Sequence, residues 1–125
     1  MESYIQSENL TRTLYRCLAS KCHGQAAAML RRMSGDETRH LKSMQLEYYL
    51  LTGDTMPLEA PVINGTLQDN LRLAYAGEWG AASDYAAEAQ RHGDARLKAL
   101  YLAQSRDELR HRRLAREIVS RLFGG

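Results

Sequence analysis

Apolar residues recur at spacings of three and four along four long stretches of this chain, the period of amphipathic helices rather than strands. The first stretch predicts a helix from about Glu2 to about Cys22, stopping near Gly24. The second runs from about Gln25 to Leu51, ahead of Thr52-Gly53-Asp54, where glycine suits a helix C-terminus. Gly53 to Gly65 follows as a linker holding both prolines, Pro57 and Pro61. The third helix begins after Thr66, where Thr66-Leu67-Gln68-Asp69 resembles a capping box with Asp in place of Glu, and continues to about His92. Gly93 stops it, Asp94 supplies an N-cap, and the fourth helix runs from about Ala95 to Phe123.

Loop lengths set the topology. Two or three residues between helices one and two, and between three and four, predict two antiparallel hairpins. The long linker can run the length of a bundle and leave helices two and three parallel, the single-crossover arrangement. The expected fold is therefore all-α, an antiparallel four-helix bundle with one long crossover between helices two and three, in one domain spanning 1–125. The halves also look duplicated: Glu8 and Tyr15 return as Glu78 and Tyr85 at an offset of 70.

On a wheel of about 100° per residue, each helix has an apolar face centred on a carboxylate. Glu8 lies among Tyr4, Ile5, Tyr15, Leu18, Ala19 and Cys22, and Glu37 among Leu30, Met33, His40, Leu41, Met44, Tyr48 and Leu51. Glu78 lies among Leu67, Leu71, Ala74, Tyr75, Ala81, Ala82, Tyr85 and Ala89. Glu108 lies among Leu97, Tyr101, His111, Ala115, Val119 and Leu122.

Composition narrows the classes. With 125 residues and a net charge of +2, the chain can form a sizeable core and shows no general case for nucleic acid or an acidic membrane. The basic run from Arg106 to Arg121 is interrupted by Asp107, Glu108 and Glu117, as a solvated face would be. Two cysteines, Cys17 and Cys22, are too few for a disulfide framework and face different ways on their helix. No apolar run approaches a membrane span, and the polar start MESYIQSENL is unlike a signal peptide, so a cytoplasmic location is expected.

Chemistry enters with a repeated pentapeptide. Asp36-Glu37-Thr38-Arg39-His40 returns as Asp107-Glu108-Leu109-Arg110-His111, offset by 71. Helical residues three apart lie about 60° apart around the axis, so each Glu-x-x-His offers a carboxylate and an imidazole from one face. Four carboxylates in one core would be ruinous without compensation. Lysine is absent from these faces, and Arg112 alone cannot balance four anions. Two divalent metal ions would, with His40 and His111 as neutral ligands.

The pattern Glu8, Glu37-x-x-His40, Glu78, Glu108-x-x-His111 resembles the ferritin-like di-iron carboxylate proteins, and rubrerythrin most closely. The resemblance spans nearly the whole chain and implies that Glu37 and Glu108 bridge two irons. Glu8 and His40 would complete one iron, Glu78 and His111 the other. Peroxide or dioxygen would be the substrate, and a separate protein the electron donor. Rubrerythrins usually carry a second Glu one turn after the third-helix ligand, where this chain has Ala81, and a rubredoxin domain with paired Cys-x-x-Cys motifs, which this chain lacks.

Asp36 and Asp107 are placed to accept a hydrogen bond from a ligand histidine or to stand solvated. Tyr15 and Tyr85, two turns beyond Glu8 and Glu78, are placed to reach ligand carboxylates, to pass electrons, or simply to fill core. Cys22-His23 and His92 fall at helix ends, and Trp79 marks a possible homodimer contact. Besides an oxidoreductase, the ligand set accommodates an iron-binding or iron-oxidising module, an oxygenase, a structural metal bundle, and manganese or a mixed pair in place of iron.

Overall fold

In the computed structural model, which describes residues 1–123, four helices form and no strand does: α1 (Glu2–Ser20), α2 (Gly24–Thr52), α3 (Leu67–Arg91) and α4 (Ala95–Phe123). Gly124 and Gly125, the last residues of the expected 1–125 domain, lie outside the described residues. Two compact units divide the chain, Met1–Leu67 and a second beginning at Gln68. Among the described residues, no helix is long and apolar enough to cross a membrane.

The first unit is the α1–α2 hairpin and its trailing linker. Helix α1 ends slightly before the expected Cys22: the Lys21 and Cys22 amides donate to the Leu18 and Ala19 carbonyls, tightening the last turn. Helix α2 ends as expected, because Gly53 takes a φ of 77° that a side chain would resist, and its N–H donates to the Tyr49 carbonyl at 2.8 Å. Ile5, Tyr15, Leu18, Leu30, Met33 and Met44 are fully buried, as the wheel requires. Leu51 is instead 65% exposed, because it sits in the final turn, beyond the reach of facing side chains.

The linker is tied down rather than loose. Gln6 Nε2 donates to the Pro57 carbonyl at 3.1 Å, and Asn9 Nδ2 donates to the Glu59 carbonyl at 2.7 Å. Asn9 is itself buried and accepts from Arg12 Nε at 3.1 Å. The linker thus returns along the first two turns of α1.

The second unit is the α3–α4 hairpin, with Leu71, Tyr85, Ala89, Tyr101, Ala115 and Ile118 buried. Several expected core positions differ, Tyr75 and Ala81 being only half-buried. Leu122 is 37% exposed in the final turn. Val119 is only half-buried and lines a surface groove, while Ile118 takes the buried place. Winding toward about 3.5 residues per turn, as in packed helices, carries the inward face from 119 toward 118. Asp94 caps α4 as expected: its Oδ1 accepts from the Arg96 amide at 2.8 Å and the Leu97 amide at 3.2 Å.

Each hairpin is pinned at an equivalent point. Ser34 Oγ of α2 donates to the Arg12 carbonyl of α1 at 2.9 Å. Ser105 Oγ of α4 donates to the Ala82 carbonyl of α3 at 2.7 Å. Both serines are buried, and their positions repeat at the offsets of 71 and 70 that relate the two halves. A side chain that bonds across to backbone of a facing helix sets the register of the pair.

Ser34→Ala and Ser105→Ala are each expected to lower unfolding free energy by about 1 kcal/mol in denaturant titrations, since a buried acceptor loses its donor. Thr11→Ala, which removes only a bond to the Ser7 carbonyl on the same helix, should cost clearly less; equal losses at all three would deny the pins their role. The Asp94 carboxyl is held below its usual 3.8 by the Leu97 and then the Arg96 amide bonds. A depressed folded pKa stabilises above the unfolded value and loses that stability as pH falls through the folded one. Asp94→Asn should therefore melt below wild type at neutral pH, with the gap closing in acid below that range.

Candidate metal centre

The repeated pentapeptide resolves into two interleaved pairs on its own helix. In α2, Asp36 bonds the Arg39 guanidinium. In α4, Asp107 Oδ1 lies 3.2 Å from Arg110 Nη2. The arginines face solvent, while the alternate pair, Glu and His, is buried in both copies. The i,i+3 spacing that brings each Asp to its Arg also brings each Glu to its His. Each arginine is thus one partner of its aspartate.

In the first hairpin, His40 Nδ1 stands 3.6 Å from Glu8 Oε1 and 3.9 Å from Glu37 Oε1. In the second, His111 Nδ1 stands 3.7 Å from Glu78 Oε1 and 3.7 Å from Glu108 Oε1. Within each hairpin the three residues offer ligand atoms all within 4.8 Å of one another. The quoted separations exceed the roughly 2.9 Å of a nitrogen–oxygen hydrogen bond. They fit two atoms that share an ion, because ligands at about 2.1 Å from a metal stand at most about 4.2 Å apart. Both hairpins therefore carry a buried Glu/Glu/His cluster able to hold a metal ion.

Burial makes the charge problem acute. Glu8, Glu37, His40, Glu78, Glu108 and His111 are all 5% exposed or less. Lys21, Lys42 and Lys98, the only lysines, are all exposed. Arg112 is engaged elsewhere: its guanidinium lies over the Tyr75 ring at 4.4 Å and the Trp79 ring at 5.0 Å. Oxygen and nitrogen donors with an excess of negative charge suit a divalent transition metal, so the residues present fit one.

The other expected participants lie in varied surroundings. Tyr15 and Tyr85 are buried, and Tyr85 stacks on Tyr101 with centroids 5.9 Å apart. Ala81 is half-buried and brings no carboxylate. Trp79 is 55% exposed and turned toward Arg112. Cys17 and Cys22 are free thiols, and burial pushes the Cys22 thiol up, leaving it less reactive at neutral pH. The exposed His23 stands at the N-cap of α2, and His92 packs on Tyr101. Sequence reading missed the serine pins, although their signal is present: Ser34 and Ser105 extend both motifs to S-x-D-E-x-R-H. It also missed the buried Glu47 and the Asn9 clamp.

Comparison with protein-family models, curated proteins and solved structures finds no match for this chain.

Replacing Glu37 or Glu108 by Gln keeps shape and removes one buried negative charge. In metal-free protein each change should raise unfolding free energy, on the order of 1–2 kcal/mol. With ferrous iron or manganese present the order should reverse, because the variant loses a ligand and with it metal-linked stability. Thermal melts with and without metal read both signs; destabilisation under both conditions would mean the carboxylates are not in excess.

Proposed function

We propose that this chain binds a pair of divalent metal ions, iron foremost, and is a rubrerythrin-like di-iron oxidoreductase that reduces peroxide or dioxygen. In this reading the two hairpins close as a ferritin-like four-helix bundle, with the linker as its single long crossover. Glu8, Glu37 and His40 would hold one ion, and Glu78, Glu108 and His111 the other. The observation that carries the reading is the recurrence of one buried Glu/Glu/His cluster in each hairpin, both anchored by the same motif.

A ferrous pair bound there would supply the two electrons that, with two protons, reduce one peroxide to two waters. The chain's own residues bind and orient. Four carboxylates offset the metal charge, and two imidazoles supply neutral donors, leaving ligand positions for a small oxidant. The buried side chains Tyr15, Leu30, Met33, Leu71 and Tyr101 exclude bulk water from the polar clusters. No nucleophile or acid–base dyad is required. In this reading a separate donor supplies the reducing electrons. With Ala81 in the place of a further carboxylate, the ligand set is the six residues alone.

Anaerobic protein should bind two equivalents of ferrous iron. Peroxide should then oxidise them rapidly, and an added reductant should restore the ferrous absorption through repeated cycles. A single stoichiometric oxidation that does not reset would favour iron handling over turnover. The double variant Glu37→Ala/Glu108→Ala should lose metal uptake; uptake at wild-type level would sink the proposal.

A further inference from the structure

The second hairpin contains a line of aromatic rings at positions that are not all aromatic in its counterpart. Tyr85 of α3 stacks on Tyr101 of α4, with centroids 5.9 Å apart and planes inclined by 29°. Tyr101 stacks in turn on His92, at 5.4 Å and 13°. Both tyrosines are 1% exposed, whereas the His92 side chain is 34% exposed, with Nε2 3.4 Å from Glu88 Oε2. Tyr85 lies seven residues after Glu78, and Tyr101 seven before Glu108. Two helical turns rise about 10 Å, so in antiparallel helices both rings stand at one level above the metal-ligand cluster.

The first hairpin shows that packing alone does not require this arrangement. By the repeat offsets, Tyr15 corresponds to Tyr85, but Leu30 stands for Tyr101 and Cys22 for His92. Leu30 is fully buried, so an aliphatic side chain fills the equivalent position. A second buried phenol brings a hydroxyl whose desolvation must be offset. In the second hairpin that position holds a ring, and the ring touches another that reaches solvent.

We propose that Tyr85, Tyr101 and His92 form a one-electron conduit between the Glu78–Glu108–His111 cluster and the protein surface at His92. The inference rests on the metal-centre reading for its inner terminus. An oxidising equivalent at the cluster is filled by one electron from the tyrosine stack, and the phenol releases its proton to solvent on the His92 side. An external one-electron reductant at the exposed edge of His92 returns the electron, and the proton is recovered as the O–H bond re-forms. Each pass moves one electron inward with no net change to the protein. Two passes supply the two electrons that a peroxide consumes. His92 is a bridge in contact with Tyr101 and is not itself oxidised.

The test begins without metal. In a background with Tyr4, Tyr48, Tyr49, Tyr75 and Trp79 replaced by Phe and both cysteines by Ala, the only phenols are Tyr15, Tyr85 and Tyr101. Circular dichroism checks that this background folds. Photogenerated ruthenium tris-bipyridine oxidant should give a tyrosyl radical by electron paramagnetic resonance. Tyr85→Phe/Tyr101→Phe should abolish the signal, His92→Ala should cut it severalfold, and Tyr15→Phe should leave it unchanged. No radical, or one lost only with Tyr15→Phe, overturns the conduit.

A second arm uses iron-loaded wild-type chain with ascorbate as reductant. His92→Ala should slow re-reduction severalfold while binding the same equivalents of iron; an unchanged rate overturns the proposal. Failure of iron uptake strikes the metal-centre reading and is read separately from the radical measurement.

Discussion

Buried negative charge is the constraint on which the rest of the structure depends. Each hairpin withdraws two carboxylates and one imidazole almost completely from water, and desolvation of a carboxylate is among the largest penalties a fold can carry. Every lysine is exposed, Arg39 and Arg110 pair with Asp36 and Asp107, and Arg112 spreads over Tyr75 and Trp79. Clusters of this kind could hold a cation from outside the chain.

Holding such clusters together requires helices that do not slide, and the serine pins meet that need. Ser34 and Ser105 each stand three residues before the glutamate of a Glu-x-x-His pair. Each bonds the carbonyl four residues after the glutamate of the facing helix. Pin and ligands therefore lie within about one helical turn, where a register shift would do most harm. Apolar packing tolerates repacking of similar shapes; a hydroxyl aimed at one carbonyl does not. The hydrophobic faces give affinity between helices, and the pins give alignment.

Helix existence, approximate ends and the six ligand candidates were legible because each has a periodic or capped signature. Glu37 with His40 and Glu108 with His111 could be read from spacing alone, as could the glycine stop at Gly53 and the cap at Asp94. The pins could not be derived in the same way, because a serine's acceptor is a carbonyl on another helix, which no property of the serine encodes. Asn9 escaped for a similar reason: its partner is the Glu59 carbonyl in the linker, fifty residues away. Leu51 and Leu122 show the opposite failure. Their wheel positions are inward, yet a terminal turn has nothing left to face. Periodicity reports direction, and burial also needs a neighbour.

Departures from the repeat are the informative part of a duplicated chain. Features kept in both halves, the Glu-x-x-His pair, the upstream glutamate, the Asp–Arg pair and the serine pin, are what each half needs to build its cluster. Features found in one half cannot be requirements of the cluster itself. Leu30 and Cys22 end the first hairpin in aliphatic and thiol packing, while Tyr101 and His92 extend the second to its surface as stacked rings. If the added phenol served only to fill volume, leucine would do so without a polar atom to satisfy. Two matched clusters thus carry two unmatched exteriors, with stacked rings on the side of α3 and α4 and Leu30 and Cys22 on the side of α1 and α2.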